Sequence, residues 1–259
     1  MNIVVLVKQV PDTWAERKLD PTSKTLDRAS VDVVMNEIDE YAVEEALRLK
    51  ETHGGEVTIL TMGPDRAIET IRKALSMGAD KAVHLSDPVL AGSDAVQTSY
   101  ALAKVLETLE YDLVIAGSEA TDSRMSVMTA LLAERTGHPQ LSGARKVTAD
   151  GAVVRVERQT EGGYDVVEAA TPAFVSVVEK INEPRYPSFK GIMAAKKKPL
   201  TTLSAADAGI DAGQVGLATA PSQVVDFASK PPRQGGQIIK DEGDGGSKVA
   251  EFLASQKFV

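Results

Sequence analysis

The sequence lacks cysteine, has few aromatic residues and contains no long apolar run. The absence of cysteine from its 259 residues excludes disulfides, thiolate metal ligands and cysteine nucleophiles, and is typical of a reducing compartment. Aromatic residues make up only 4%, so the core must be aliphatic, which favours helices packed on a parallel sheet. No stretch is long and apolar enough to span a membrane, and no secretory signal pattern precedes the first strand. We therefore expect a cytoplasmic protein that is not integral to a membrane.

Several motifs of well-known enzymes are also missing. The sequence contains neither G-x-G-x-x-G nor G-x-x-x-x-G-K-[ST], which excludes the common dinucleotide fingerprint and the phosphate-binding loop with its lysine. It has no G-x-S-x-G nucleophile elbow, and its three histidines lack the spacing of a metal site or a catalytic triad. The net charge of −8 argues against nucleic-acid binding. We expect no catalytic side chain and no metal, whereas backbone groups could still hold a small anion.

From residue 1 to about 142, short β-branched runs alternate with longer segments of helical period. Strands are predicted at 2–8, 56–63, 81–86 and 112–118. Helices are predicted at 37–52, 64–77, 93–109 and 123–136. This alternation predicts an α/β fold with a doubly wound, mainly parallel, Rossmann-like sheet.

Beyond residue 142 the pattern changes to strand pairs joined by glycine-rich turns. It predicts an antiparallel hairpin insertion at 144–170 and a buried strand at 173–179 that returns to the main sheet. The prolines and lysines of 182–198 indicate an irregular loop.

Two domains are expected, an α/β nucleotide-binding domain at 1–200 and a C-terminal arm at 201–259. A short amphipathic helix is predicted at 247–257. The arm has too few apolar residues to bury itself, so it either packs on a partner subunit or is a disordered terminus.

A ligand site is expected at the carboxyl edge of the sheet, where doubly wound folds bind ligands. The segments 8–12, 62–64 and 117–126 follow predicted strands and meet at this edge. The last of them is small and polar and leads into a helix, whose free N–H groups and positive dipole favour a phosphate. The alternative is an ordinary strand-to-helix turn capped by Ser and Asp side chains.

One long segment has a distinctive composition. Residues 177–199 read VVEKINEPRYPSFKGIMAAKKKP, which closely resembles the characteristic segment of electron-transfer flavoprotein beta subunits. The resemblance covers nearly the whole chain, because the family's N-terminal domain is also similar to VLVKQVPDT at 5–13, AVEEALRLKE at 42–51, IRKALSMGADKAVHL at 71–85 and DLVIAGSEATD at 112–122.

The resemblance implies both a fold and a role. It implies an α/β domain with an antiparallel insertion and an arm wrapped over an alpha subunit, in a heterodimer. FAD would be held chiefly by the alpha subunit with its ring facing this chain, which would itself bury a structural AMP. Electrons would come from acyl-CoA dehydrogenases of fatty acid oxidation and related flavoenzymes, and would leave to a membrane quinone oxidoreductase. The chain would thus be an electron carrier without catalytic side chains.

The resemblance also implies site residues. The AMP pocket would be lined by Leu6, Asn36, Glu37, Ile38, Asp39, Met62, Gly117, Ser118, Glu119, Ala120, Thr121, Asp122, Ser123, Arg124, Met125, Ser126, Val127 and Met128. Within this set, Asp122 would help to hold the nucleotide, and the backbone of Ser126 and Val127 would meet its phosphate. Thr13 and Trp14 would approach the flavin ring. Partner dehydrogenases would dock on Asn182, Glu183, Pro184, Arg185, Tyr186, Pro187, Phe189, Ile192, Met193, Lys196, Lys197 and Lys198.

Three departures from the family's pattern leave alternatives open. Ser126, Val127 and Met128 stand where many members have Gln-Thr-Gly or Gln-Val-Gly, so the identity of the nucleotide is less secure than the pocket. Gln159 replaces a glutamate able to pair with an alpha-subunit arginine, and Phe189 replaces a leucine. One alternative is a bifurcating flavoprotein with a second FAD in place of AMP. Another is a free-standing nucleotide-binding regulatory module of the stress-protein type.

Overall fold

The computed structural model describes residues 1–232, 235–236, 238 and 240–258. It divides into two compact units, Met1–Val225 and Asp226–Val259. The expected domain boundary after residue 200 therefore falls inside the first unit, because Ala205, Ala208 and Ile210 are buried in its core. Five residues of the expected arm, at 233, 234, 237, 239 and 259, lie outside the described residues. None of the described helices is long and apolar enough to cross a membrane.

The first unit is built on one large sheet. The strands of this unit are β1 (Ile3–Leu6), β2 (Gln9–Pro11), β3 (Val33–Met35), β4 (Val57–Met62), β5 (Lys81–Leu85), β6 (Leu113–Gly117), β7 (Gln140–Asp150), β8 (Val153–Thr160), β9 (Gly163–Ala170), β10 (Ala173–Val177) and β11 (Leu200–Leu203). Strands β2 and β3 pair with each other in a separate small sheet. Within the described residues, nine strands pair in the order β11-β5-β4-β1-β6-β10-β7-β8-β9. Pairing is parallel from β11 to β7 and antiparallel along β7, β8 and β9. The doubly wound α/β prediction is confirmed.

Helices cover both faces of this sheet. They are α1 (Glu37–His53), α2 (Ile68–Met77), α3 (Ala95–Leu106), α4 (Met128–Thr136) and α5 (Phe189–Ala195). The apolar residues of α1, α2 and α5 pack into one core with alternate side chains of the parallel strands. Those of α3 and α4 pack into a second core on the opposite face. Strands buried on both faces explain the continuous apolar runs in the sequence.

The order of the strands reverses at β1. From β1 the chain builds β4, β5 and β11 on one side, and β6 and β10 on the other. A crevice opens at such a switch point, outside the carboxyl ends of the strands. The segments that follow β1, β4 and β6 are therefore brought to one edge, as the sequence predicts.

The structure corrects the predicted elements in several places. The fourth helix begins at Met128 and not at 123, because Arg124 and Ser126 adopt φ values of 50° and 55°, which a right-handed helix excludes. The small antiparallel pair β2 and β3, the edge strand β11 and helix α5 were not predicted. The hairpin is confirmed, and its first strand extends back to Gln140, where it also pairs with β10.

Among its described residues, the second unit contains one helix, α6 (Gly245–Ser255). It lies two residues earlier than the predicted helix. Val249 and Phe252 on α6 and Phe258 beyond it are exposed. This unit thus presents an apolar helical face.

Candidate nucleotide site and docking segment

The candidate nucleotide site lies where β1, β4 and β6 end. Gly117, the last residue of β6, allows the start of α1 to pack tightly against the strand. A Cβ atom at Gly117 would meet Asp39 Oδ1 at 2.6 Å and Ile38 Cγ2 at 2.9 Å, too close for any other residue without a shift of the helix. This close approach brings the start of α1 to the turn that follows β6.

Asn36 fastens the start of α1 to that turn. Its fully buried side chain donates from Nδ2 to the Glu119 carbonyl oxygen at 2.9 Å. Its Oδ1 accepts from the Thr121 N–H at 3.1 Å. Because buried polar groups are costly to leave unpaired, these bonds fix the shape of residues 118–121.

Asp39 is a second buried polar residue at this edge. It accepts hydrogen bonds from the Lys8 N–H at 2.8 Å and from Asn36 Nδ2 at 3.0 Å. Burial raises the pKa of Asp39 to about 7, although the hydrogen bonds from Lys8, Asn36 and Gly117 act in the opposite direction. Its ionisation is therefore balanced near neutral pH.

Asp122 has a fully buried carboxylate that receives two cations. Lys8 Nζ lies 2.9 Å from Oδ1, and Arg28 contacts Oδ2. Burial alone would raise the pKa of Asp122, but the charges and hydrogen bonds of Lys8 and Arg28 outweigh it, and the pKa is lowered. The sequence placed Lys8 at this edge, within the segment 8–12, but did not indicate its pairing with Asp122. Arg28 was not predicted, because it lies in the irregular segment 12–32 and carries no local signal.

The turn after β6 ends at the start of α4, where backbone donors are free. Val127 precedes the helix and makes no side-chain capping bond. The N–H groups of the first helical turn therefore have no capping side chain at Val127, and such a helix start suits an anion. Ser126 holds a left-handed φ of 55°, and its hydroxyl lies 3.3 Å from Glu119 Oε2.

Thr121 supplies a more specific indication of a ligand. Its side chain is buried, and among the described residues its Oγ1 has no hydrogen-bond partner. Such an atom is costly unless a bound group satisfies it. Leu6, buried, and Met62, partly buried, belong to the adjoining apolar core. The edge thus combines an apolar wall, an unsatisfied hydroxyl and free backbone donors.

Other residues expected at this site are more open. Glu37 is exposed, and its carboxylate lies 3.4 Å from the Thr13 hydroxyl. Trp14 is 96% exposed, and Ser123, Arg124 and Met125 lie on the surface. Ser118, Ala120 and Met128 are half-buried.

The segment 182–198 exposes a group of apolar side chains. Tyr186 is 96% exposed and Phe189 is 81% exposed, whereas Ile192 and Met193 are about half exposed. Helix α5 begins at Phe189, and the Ser188 hydroxyl caps it by accepting from the Gly191 N–H at 3.0 Å. Phe189 is therefore not a core residue but a large apolar group presented to solvent. Glu183, Lys196 and Lys197 are also exposed, and Pro184 and Pro187 are partly buried.

Three polar residues of this segment face the protein and not solvent. Asn182 donates to the Tyr41 carbonyl oxygen and to Glu45. Arg185 binds glutamates of α1. Lys198 donates to carbonyl oxygens at the end of α2, and burial lowers its pKa. These residues fasten the segment, and the exposed positive charge comes from the other three lysines, Lys190, Lys196 and Lys197.

Comparison with known proteins defines the class. The family described as "Electron transfer flavoprotein domain" matches residues 23–208, well over half of the chain. The chain therefore belongs to the electron transfer flavoprotein family, a class of heterodimeric flavoproteins that transfer electrons.

Individual relatives narrow the class to one subunit type. The "Electron transfer flavoprotein subunit beta" of Mycobacterium leprae is 53% identical over all of this chain and 99% of the relative. The protein of the same description from Megasphaera elsdenii is 39% identical, with both chains covered in full. The "Caffeyl-CoA reductase-Etf complex subunit CarD" of Acetobacterium woodii is 38% identical over 99% of this chain and 97% of the relative. The resemblance drawn from residues 177–199 is confirmed.

Proposed function

We propose that this chain is the beta subunit of an electron-transfer flavoprotein that accepts electrons from acyl-CoA dehydrogenases and related flavoenzymes and passes them to a membrane quinone oxidoreductase. FAD is shared at the interface and held mainly by the alpha subunit, and AMP fills the pocket of this chain. The observation that carries the docking role is the exposure of Phe189 on a fastened segment. An apolar anchor on a stiff support loses little entropy when a partner buries it.

The pocket supports a nucleotide monophosphate. The free N–H groups at the start of α4 suit one phosphate, and the unsatisfied Thr121 hydroxyl suits a polar group of the ligand. Lys8 and Arg28 add positive charge at the same edge, although Asp122 largely balances it. Since the sequence has no phosphate-loop lysine, the pocket lacks the usual means to hold a triphosphate.

The bound FAD supplies the redox chemistry, and this chain contributes position and partner contact. Trp14, exposed on the segment after β2 with Thr13 beside it, is proposed to face the flavin ring across the subunit interface. The exposed apolar side chains of α6 are proposed to pack on the alpha subunit. Trp14 and the apolar residues of α6 are large exposed side chains that a partner surface could bury.

A second candidate function is flavin-based electron bifurcation, with a second FAD in place of AMP. It is favoured by the 38% identity to a subunit whose name places it in a caffeyl-CoA reductase complex. Against it, the residues at the start of α4 are Ser126, Val127 and Met128 and not the Gln-Val-Gly of bifurcating relatives.

The test is to co-express the chain with its alpha subunit, purify the heterodimer and identify the nucleotides released on denaturation. The proposed function requires one FAD and one AMP per heterodimer, and little FAD on this chain expressed alone. Two FADs would support bifurcation. A chain that carries a nucleotide but assembles with no alpha subunit and no flavin would support the regulatory module instead.

A further inference from the structure

Helix α1 carries three glutamates that contact the segment 182–198. Glu44 and Glu45 are buried, and Glu51, nearer the end of the helix, is exposed. Buried carboxylates are rare without a partner. All three have partners in the segment 182–198, more than 130 residues away in the sequence. Glu44 also accepts a hydrogen bond from Arg48 Nε, one turn further along the same helix, at 3.2 Å.

Glu44 and Arg185 form the most complete of these contacts. Arg185 Nε lies 2.7 Å from Glu44 Oε2, and Arg185 Nη2 lies 3.0 Å from Glu44 Oε1. The Arg185 backbone N–H also donates to Glu44 Oε2 at 3.1 Å. Glu51 receives the remaining edge of the guanidinium, with Nη1 2.5 Å from its Oε1. One carboxylate thus fixes both the side chain and the main chain of Arg185.

The charge of Glu44 is stabilised in this arrangement. Burial alone would raise its pKa, but the hydrogen bonds and charge of Arg185 outweigh burial, and the pKa of Glu44 is lowered. Its neighbour Glu45 shows the opposite result, because burial raises its pKa and the bond from Asn182 only partly opposes this. Glu44 therefore stays ionised at neutral pH.

Arg185 lies close in the sequence to two large exposed apolar side chains. Tyr186 follows Arg185 directly, and Phe189 begins α5 three residues later. Pro184 and Pro187 flank Arg185 and Tyr186 and restrict the backbone of the stretch 184–189. Without a bond to the main chain of Arg185, this stretch would sample more conformations and would lose more entropy on docking.

We propose that Glu44 is a positioning residue for partner docking, which holds Arg185 and thereby keeps Tyr186 and Phe189 in the orientation that a partner flavoprotein buries. The inference rests on the proposed docking function of segment 182–198. Glu44 itself is covered by Arg185 and acts through it.

The experiment uses the purified heterodimer and an acyl-CoA dehydrogenase reduced by its acyl-CoA substrate. In Glu44→Gln, one oxygen becomes an NH2 group that faces the donors of Arg185. The contact between residue 44 and Arg185, called the clamp below, is therefore lost. The apparent KM for the heterodimer should rise on the order of tenfold, with kcat and flavin content unchanged. The matched control is Glu40→Gln, since Glu40 is on the same helix but pairs with Lys73, outside the segment. It should leave KM unchanged.

Two further variants separate positioning from general damage. Arg185→Gln should raise KM to a similar degree, and the double variant should be no worse than Arg185→Gln alone, because both changes break one clamp. Glu51→Gln, at an exposed partner, should give a smaller rise in KM and tests the clamp even if Glu44→Gln folds poorly. Additive effects of Glu44→Gln and Arg185→Gln on KM would overturn the inference.

Phe189→Ala distinguishes failure of this inference from failure of the docking function. If Phe189→Ala raises KM and neither Glu44→Gln nor Glu51→Gln does, docking on this segment stands and the positioning role of Glu44 is wrong. If Phe189→Ala leaves KM unchanged, the docking function itself is wrong, and the inference falls with it.

Discussion

The candidate nucleotide site, at the carboxyl edge of the sheet (the nucleotide edge), and the proposed docking segment, residues 182–198, are built in opposite ways. At the nucleotide edge, polar side chains such as Asn36, Asp39 and Asp122 are inside, and nearly every one is paired. On the segment 182–198, the polar side chains of Asn182, Arg185 and Lys198 lie underneath. The large apolar side chains of Tyr186 and Phe189 are outside. Each region reverses the usual distribution of polarity, which is costly for the free chain and is explained when a ligand or partner covers it.

Helix α1 connects the two regions. Its beginning is fastened to the turn at 118–121 through Asn36, and its middle holds the docking segment through Glu44 and Glu45. Its inner face packs on the sheet. Buried polar contacts therefore have different roles along one helix, and substitutions should separate them.

The largest effect is expected for Asp122→Ala. The change removes the only carboxylate that receives Lys8 and Arg28 in the described structure. Lys8 and Arg28 are partly exposed and stay solvated, so the loss of their hydrogen bonds to this buried carboxylate should lower the free energy of unfolding by about 3 kcal/mol. The heterodimer should also retain less nucleotide. Thermal denaturation and mass spectrometry of released nucleotide measure both. Asp165→Ala, at an exposed position on β9, is the control. If both variants show the same stability and nucleotide content, the contacts of Lys8 and Arg28 with Asp122 stabilise neither the fold nor the bound nucleotide.

The second effect concerns docking and should leave stability intact. Phe189→Ala should weaken partner binding by about 2–4 kcal/mol, because a central apolar anchor is lost. The melting temperature should stay close to that of the unchanged protein, since Phe189 is 81% exposed. The rate of flavin reduction by a dehydrogenase and a melting curve test this together, with Lys190→Ala on the same helix as control. A lower melting temperature with an unchanged rate would contradict the contrast between the regions.

The third prediction uses the raised pKa of Asp39. An unfolded Asp loses its proton near its ordinary value of 3.8, whereas Asp39 holds its proton in the folded chain to about pH 7. The free energy of unfolding should therefore fall as pH rises between these values, by about 1.4 kcal/mol per pH unit at most, and level off above them. Asp39→Asn should remove this slope, although it places an NH2 group opposite an N–H donor. Chemical denaturation of both proteins at pH 5, 6 and 7 tests this prediction. If the free energy of unfolding has the same pH slope in Asp39→Asn as in the unchanged protein, the pKa of Asp39 is not raised.

The smallest effects should distinguish two neighbouring lysines, Lys197 and Lys198. Lys198→Ala should cost about 1 kcal/mol of stability, because Lys198 satisfies the Leu75 and Ala79 carbonyl oxygens at the end of α2. Lys197→Ala should leave stability unchanged and slow docking a few-fold at low salt only. Melting curves and reduction rates at two salt concentrations compare them. The reverse pattern would mean that Lys198 carries the docking charge.

Much of the fold follows from the local pattern of residues. The apolar runs at the four N-terminal strands and the Asp-Gly turn of the hairpin indicated the parallel sheet and its insertion. The short strands β2, β3 and β11 carried no such signal, because three or four residues are too few for periodicity to show. Helix α5 was hidden for the same reason, since it is short and follows two prolines.

The family and the sheet follow from the sequence alone, which also predicts the edge at which a ligand would lie, because these depend on local pattern and on the order of strands. Which charges meet is set by the folded structure. It joins Arg28 to Asp122 and Arg185 to Glu44, partners separated by 94 and 141 residues. It also partly buries Lys198 and leaves Lys197 exposed. The energy of an ion pair depends on distance and burial, which no spacing along the chain specifies.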